Sequence, residues 1–375
     1  MPSCRHHSRT PDRCRIRGFS LVEVMVGIVI AMLASLVMLQ VFATFEERKR
    51  TTNSGSDAQT EGAFASYTIE RDTRMAGYGL NMPELLGCRV NSSFNGTASS
   101  FTLAPVMITN GASGRPDAIR VVASSKKKWS VPARITTDHP PQATNMFLNT
   151  TQGIEPGDLI VAAQAGKDCT LMQVTNIPNG NVQIHHHSTS PWNPPGGQNI
   201  FPKPDGYTAG AMLFNFGGFT DHTYSVDARG NLQLSDFRSS TNTSTIQPLV
   251  SGIVNLQAQY GFDTRPGAPT DGRVSEWSDT MIDADGSGTV GDAGDIRRIY
   301  ALRFAIVARS VQMEKPKPDG TCAITTATSA NKPTWAGGDI DVSKNPDGSA
   351  NASWTCYRYK VTETVVPLRN LLWRE

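Results

Sequence analysis

Residues 18–45 decide the architecture of this chain, and they read GFSLVEVMVGIVIAMLASLVMLQVFATF. Glu23 is the only charged residue among them, and no proline interrupts the run. An α-helix rises about 1.5 Å per residue, so a helix of this length spans the roughly 30 Å hydrocarbon core of a bilayer. The stretch therefore predicts a membrane-spanning helix near the start of the chain.

The charge balance of the 375-residue chain changes at this helix. Residues 1–18 hold five arginines against one acid, Asp12, and the remainder carries 30 Lys+Arg and 32 Asp+Glu, a net charge of −2. By the positive-inside rule we expect the leader on the cytoplasmic side and everything after Phe45 on the far side. The formal charge of the whole chain is only +2. No global basic field is present, so direct nucleic-acid binding is not expected.

The charged side chain of Glu23 is energetically unfavourable within a membrane-spanning helix. A carboxylate at the centre of a membrane helix costs on the order of 2.5–3.5 kcal/mol, and less near the interface. Two interpretations fit this position: the carboxylate of Glu23 reaches the lipid headgroups, or it later pairs with an opposite charge. The surrounding residues decide between them.

Residues 17–23 (RGFSLVE) carry the resemblance that decides the question. Together with the basic leader and the apolar run, they resemble the cleavage motif of type IV pilins and pseudopilins. The family pattern is a basic leader, a Gly, then Phe or Met, and a Glu five residues after the Gly. The leader of 18 residues is longer than in most type IVa pilins.

This resemblance assigns roles to three residues. It implies that a prepilin peptidase cuts after Gly18 and methylates the new amino terminus at Phe19. It also implies that Glu23 pairs with the α-amine of a neighbouring subunit. Buried charges cost several kcal/mol unless they are paired, so such a pair would favour the correct register during assembly.

Four further stretches resemble minor pilins of the PilW type: residues 70–79, 256–263, 299–310 and 364–370. The resemblance implies a subunit of the tip and initiation complex, which primes pilus assembly and presents a tip adhesin, with roles in adhesion and twitching motility. The implied partners are other minor pilins, the major pilin, the prepilin peptidase, the assembly machinery and the adhesin. The implied location is the inner membrane, single-pass with a periplasmic headpiece, and then the pilus tip.

The expected fold is α+β, a type IV pilin fold in which a long N-terminal helix packs on an enlarged, mainly antiparallel β-sheet headpiece. We expect a leader at 1–18, a transmembrane assembly helix at 19–45, its periplasmic continuation at 46–80 and a β-rich headpiece at 81–375. Within the continuation, Phe64, Tyr67 or Thr68, Arg71 and Met75 are spaced as one helix face that could lie against a sheet.

Short β-type runs separated by turn residues predict strands from about residue 88 onward. The runs are 101–108, 118–122, 158–163, 171–175, 211–216, 222–226, 253–260, 299–307 and 357–366. Asn-Gly pairs at 95–96, 110–111 and 179–180 indicate hairpin turns where strands flank them. Residues 186–208 and 314–350 are rich in Pro, Gly and Asn and are expected to form long surface loops.

Six cysteines are present, and Cys4 and Cys14 leave with the leader. The remaining four form an even set that suits an oxidising periplasm, and they allow three pairings. We expect the disulfides Cys88–Cys169 and Cys322–Cys356. Buried cysteines with free thiols are the alternative.

Calcium is the one candidate cofactor. Residues 283–295 read DADGSGTVGDAGD, and their oxygen side chains alternate as in an EF-hand loop. The bidentate Glu of such loops is missing, since Gly294 stands at its position, so Asp292 or Asp295 would have to replace it. A solvated acidic turn remains the alternative. The candidate ligands are Asp283, Asp285, Ser287, Thr289, Asp292 and Asp295.

Catalytic motifs are weak. The sequence has no G-x-S-x-G element, no H-E-x-x-H helix and no phosphate loop. His185–His187 is interpreted as a polar strand end or loop, and the basic run at 126–129 as a solvated turn. We therefore expect a structural subunit and no enzyme. The alternatives are a type II secretion pseudopilin and a membrane-anchored, calcium-dependent binding module that does not polymerise.

Overall fold

The structure is a computed structural model, and it describes residues 18–372 apart from a few short gaps. The gaps are residues 81, 83, 127–131, 179–181, 197–199, 268–271 and 329–330. The leader cysteines, Pro83, most of the basic run at 126–129 and the Asn-Gly pair at 179–180 lie outside the described residues. The chain forms two compact units, residues 1–53 and 54–375.

Helix α1 (Leu21–Met75) runs for 55 residues. Its first 26 residues, Leu21–Glu46, are long and apolar enough to cross a membrane, and none of them is buried within the chain. At about 1.5 Å per residue they extend roughly 39 Å. The predicted apolar helix is therefore present.

The part of α1 that belongs to the second unit has a buried face made mostly of small side chains, with Ile69 as the large one. Ala58, Ala65 and Ile69 are fully buried, and a Cβ added at Gly62 would lie 2.9 Å from Thr362 Oγ1. The expected sheet-facing stripe was wrong, because Phe64, Tyr67 and Met75 are 55%, 61% and 51% exposed, and Arg71 is exposed with them. Small residues allow the helix backbone to approach the sheet closely, and the large side chains point away from it.

The headpiece is mainly antiparallel, as predicted. Its strands are β1 (Arg89–Phe94), β2 (Thr97–Thr102), β3 (Val106–Thr109), β4 (Ala118–Ala123), β5 (Ala133–Arg134), β6 (Asn145–Phe147), β7 (Leu159–Ala163), β8 (Cys169–Gln173), β9 (Gln183–His185), β10 (Met212–Gly217), β11 (Thr220–Val226), β12 (Asn231–Arg238), β13 (Thr243–Ser251), β14 (Ile253–Phe262), β15 (Glu276–Ser278), β16 (Ile299–Arg309), β17 (Thr334–Trp335), β18 (Gly338–Asp339) and β19 (Tyr359–Pro367). Two one-turn α-helices, α2 (Ala293–Ile296) and α3 (Arg369–Leu372), and two 3₁₀ turns, Ala112–Gly114 and Trp354–Cys356, complete the described elements.

Three larger sheets organise these strands. Their spatial orders are β2-β1-β8-β7-β10-β5, β13-β12-β11-β4-β3 and β15-β14-β16-β19, and β17-β18 and β6-β9 form small ribbons. The pair β1–β8 is parallel, and the other strand pairs among the described residues are antiparallel. Strand β7 is buried on both faces, and its alternate residues enter two different hydrophobic clusters. That double burial explains why its sequence, LIVAA, does not alternate.

Most of the predicted runs form strands, and the exceptions have local causes. The run at 101–108 breaks around Pro105 into the end of β2 and all of β3, because proline cannot donate to a ladder. Asn95 and Gly96 form the β1–β2 turn with positive φ angles of 50° and 82°. The Asn-Gly pair at 110–111 instead leads into a 3₁₀ turn at Ala112–Gly114.

The two expected surface loops are more deeply packed than predicted. In the first, Trp192, Phe201 and Tyr207 are at most 4% exposed. In the second, the β17–β18 ribbon is followed by buried Ile340 and Val342. Proline and glycine set the backbone of these segments, but the few large apolar residues between them still enter the core.

Candidate functional site

The candidate processing and assembly residues lie together at the start of α1. Gly18 and Phe19 precede the helix, and Glu23 lies in its first turn. All three are exposed, with Phe19 82% exposed. A carboxylate in the first turn is favourable, because it faces the positive end of the helix dipole. The arrangement leaves an accessible cleavage position four residues before an accessible carboxylate.

The helix that follows presents apolar side chains on every side. Between Val24 and Phe45 its large aliphatic and aromatic residues range from 48% to 73% exposed. Transfer of such a side chain from water to an apolar environment is worth about 1.5–3 kcal/mol. A surface of this kind is suited to contact with lipid or with other apolar helices.

Both expected disulfides form in the headpiece. Cys88 and Cys169 are joined with a Cα–Cα distance of 6.0 Å, and Cys322 and Cys356 with 4.9 Å. The first bond fastens the segment before β1 to the neighbouring strand β8. The second fastens the long segment after β16 to the 3₁₀ turn Trp354–Cys356. Together they restrain two regions with little regular secondary structure.

The acidic loop brings three of its six candidate ligands together. Asp283, Asp285 and Asp295 offer carboxylate oxygens that all lie within 4.8 Å of one another. Asp283 and Asp285 are exposed, whereas Asp295 is fully buried. Hydrogen bonds lower the pKa of Asp285, chiefly the one from the Ser287 amide. Three carboxylate oxygen ligands of this kind suit a hard cation such as calcium.

Asp295, and not Asp292, takes the place of the missing Glu beside Asp283 and Asp285. Its Oδ1 accepts hydrogen bonds from the amides of Ala284 and Asp285, at 2.6 and 3.1 Å, and its Oδ2 accepts one from Gly291 at 2.7 Å. These bonds draw the two ends of the loop together. Asp295 stands one residue beyond the Glu position of an EF-hand, so sequence spacing alone did not select it.

The other three candidate ligands have different partners. Asp292 is the N-cap of α2, where its Oδ1 accepts from the amides of Gly294 and Asp295 at 2.8 and 3.1 Å. Ser287 donates its hydroxyl to Asp292 Oδ2 at 2.9 Å, and the same hydroxyl oxygen accepts from the Thr289 amide at 3.2 Å. These residues shape the loop and keep Asp283 and Asp285 at its mouth.

The predicted basic turn begins with a buried lysine. Lys126 is 9% exposed, and its Nζ donates to Asp158 at 2.7 Å and to Glu155 at 2.9 Å. Burial opposes the charged form, but the bonds to Asp158 and Glu155 outweigh it and raise the pKa of Lys126. The interpretation as a solvated turn is wrong for this residue, because its side chain ties the end of β4 to the segment before β7.

The histidine run divides between two sides of the chain, as its extended conformation predicts. The rings of His185 and His187 stack with centroids 4.8 Å apart, whereas His186 is only 4% exposed. His186 Nε2 lies 2.9 Å from Nε2 of buried His139. Burial lowers the pKa of His139 to about 4 and that of His186 to about 3, so both are neutral near pH 7. The predicted polar character is wrong for His186, whose ring is part of the interior.

Two family models match the chain, one at each end. The model described as type IV pilus-assembly protein W matches residues 223–370, and the prokaryotic N-terminal methylation motif matches residues 13–39. The first match contains the acidic loop and the Cys322–Cys356 disulfide, and the second contains Gly18, Phe19 and Glu23. No curated protein matches the chain.

Proposed function

We propose that this chain, a PilW-type minor pilin, belongs to the tip and initiation complex of a type IV pilus. In that complex it would prime assembly and present a tip adhesin. The observation that supports this most strongly is the fully exposed apolar helix, whose single internal carboxylate lies at its start. The family matches point to a structural protein with no enzymatic role.

The proposed pathway begins in the inner membrane. The leader stays cytoplasmic, α1 spans the bilayer and the headpiece faces the periplasm. The prepilin peptidase then cuts after Gly18 and methylates Phe19. In the membrane, Glu23 lies near the cytoplasmic face, within reach of water and headgroups.

Assembly would give Glu23 a new partner. Within a bundle of helices that excludes water, the amine of Phe19 from a neighbouring subunit is the counter-charge that we assign to Glu23. A buried charge left without its partner costs about 3–5 kcal/mol, so the pair selects subunits in correct register. Other minor pilins and the major pilin supply such neighbours.

The size of the headpiece supports a position at the tip. The second unit begins at residue 54 and ends at residue 375. A headpiece this large would be crowded in every turn of a helical filament, but one copy at the end meets no such limit. A type II secretion pseudopilin would share the N-terminal motif, whereas the match to residues 223–370 favours the pilus.

The test of this proposal is co-isolation. The mature protein is extracted in detergent and used to capture its partners, and sheared pili are analysed for the same chain by mass spectrometry. We expect other minor pilins in the captured fraction and a few copies of this chain per pilus. Recovery only from secretion pseudopili would support the pseudopilin. Absence from both assemblies would support an anchored module that does not polymerise.

We also propose that Asp283, Asp285 and Asp295 bind calcium. The support is the convergence of their oxygens and the two exposed carboxylates at the mouth of the loop. Calcium that binds only the folded state adds about 2.7 kcal/mol of stability at a hundredfold excess over its Kd. Calcium should therefore raise the Tm of the mature chain.

Paired substitutions test the calcium proposal. The double variant Asp283→Ala/Asp285→Ala should lose the calcium-dependent rise in Tm, whereas Asp205→Ala, an exposed acid outside the loop, should keep it. The same melting curve in millimolar calcium and in chelator would favour the solvated acidic turn.

A further inference from the structure

A histidine in the headpiece lies between two carboxylates from different elements. His222 on β11 has its Nδ1 2.6 Å from Asp72 Oδ2 on α1 and its Nε2 3.3 Å from Asp236 Oδ1 on β12. The Tyr224 hydroxyl donates to the same Asp72 oxygen at 2.5 Å. The side chains of Asp72 and His222 are 14% and 22% exposed, so the contact is largely shielded from water.

From this geometry we propose that Asp72, His222 and Asp236 form a proton-controlled latch, closed when His222 is cationic, that fastens the last turns of α1 to the five-stranded sheet. An imidazolium carries a proton on each ring nitrogen and donates to both carboxylates. A neutral imidazole carries one proton, so one of the two carboxylates would face a nitrogen lone pair. Loss of the second proton also removes the positive charge that attracts Asp72, and this loss weakens the connection between the helix and the sheet.

The charged groups around the latch agree with this assignment. On α1, Arg71 Nε lies 3.2 Å from Asp72 and is largely exposed. On β11, Asp221 is paired with Arg120 of β4, whose Nε donates to it at 2.8 Å. On β12, Asp236 faces the other ring nitrogen. His222 thus has carboxylates on α1, β11 and β12, and the neighbouring arginines are each bound to one of them.

The electrostatics favour the cationic form of His222, which is the closed form of the latch. The hydrogen bond to Asp72 is the main cause that raises the pKa of His222, with the charges of Asp72, Asp236 and Asp221 adding to it against burial. A pKa raised in the folded state contributes stability that is complete below the unfolded value of about 6.5. That contribution disappears as the pH rises through the folded pKa. The latch therefore opens as the pH rises through the raised pKa of His222.

Hydrogen exchange on the full mature chain in detergent tests the latch. Exchange of the amides at 66–76 is compared between the wild type and His222→Gln at the same pH, so that intrinsic exchange rates cancel. At pH 6 the variant should exchange faster, by about tenfold for each unit by which the pKa of His222 exceeds 6.5. At pH 9 the two proteins should exchange alike. His187→Gln, which removes an exposed histidine, should match the wild type at both pH values.

Three results would overturn the proposal. An equal difference between wild type and His222→Gln at pH 6 and pH 9 would mean that His222 acts only through packing. Equal exchange at both pH values would mean that the contact does not hold the helix. Titration of His222 by NMR at or below its ordinary pKa would reject the imidazolium directly.

Discussion

The two parts of α1 have the same secondary structure and opposite surroundings. Residues 21–46 expose apolar side chains on every side, whereas residues 54–75 bury Ala58, Ala65 and Ile69 against the headpiece. The difference lies in the size of the side chains and in what covers them. The second part buries mostly small residues against the sheet of the headpiece. The first part has large residues, and they are exposed. One face of residues 54–75 is therefore covered by the headpiece, whereas residues 21–46 expose a surface that lipid or other subunits can cover.

The largest effect is expected from a variant that prevents cleavage of the leader. Gly18→Val should block cleavage, because a β-branched side chain does not fit a peptidase site that requires glycine, and the 18-residue leader should remain attached. Gly27→Val, in the middle of the same apolar stretch, should be cleaved normally. A Cβ at Gly27 meets no atom within 4 Å.

Intact-mass analysis of membrane-extracted protein reads out this prediction. The wild-type chain should begin at Phe19 and carry one added methyl group. A mature chain that begins at any other residue would contradict the processing assignment.

The disulfides should affect the headpiece and leave the apolar helix unchanged. On the chain-entropy model, loss of Cys88–Cys169, with its separation of 81 residues, costs about 4–5 kcal/mol. Loss of Cys322–Cys356, separated by 34 residues, costs about 3–4 kcal/mol. Denaturant unfolding of the paired Cys→Ser variants measures both values. Four free thiols in non-reducing peptide maps of the periplasmic protein would contradict both disulfides.

Two glycines, one in each part of α1, test whether only the second part packs on the sheet. Gly62→Val should destabilise the headpiece by about 1–3 kcal/mol, because its side chain would press on Thr362 of β19. Gly27→Val should leave headpiece unfolding unchanged. Chemical denaturation of each variant in detergent gives the two values. Equal stability of both variants would show that residues 54–75 are not tightly packed on the sheet.

Sequence reasoning succeeded where a signal is local and chemically specific. The motif around Gly18, Phe19 and Glu23 is contiguous, and the family match at residues 13–39 falls on it. The two disulfides followed from an even cysteine count and the choice of one pairing among three. Strands β4, β7, β8, β10, β11, β14, β16 and β19 followed from short β-type runs between turn residues, whereas β1, β12 and β13 had no predicted run.

It failed where the fold brings distant residues together. The stripe of Phe64, Tyr67 and Met75 was chosen because large apolar residues usually face a core, yet the face that is buried consists mostly of small residues beside Ile69. Asp72 and His222 are 150 positions apart, and neither carries a local signal for the other. Asp295 was one of two candidates, and its burial beneath the loop distinguishes it from Asp292.

The most direct test of the central claim is the fate of Glu23→Ala. Removal of the carboxylate leaves the amine of Phe19 without its counter-charge in the assembled helices, a defect of about 3–5 kcal/mol if fully buried. The variant should insert in the membrane and be cleaved after Gly18. It should be lost from sheared pili, and piliation should fall. Glu23→Asp keeps the charge on a shorter side chain and should be intermediate. Recovery of Glu23→Ala in sheared pili at the wild-type level, with normal piliation, would contradict the claim that Glu23 directs assembly.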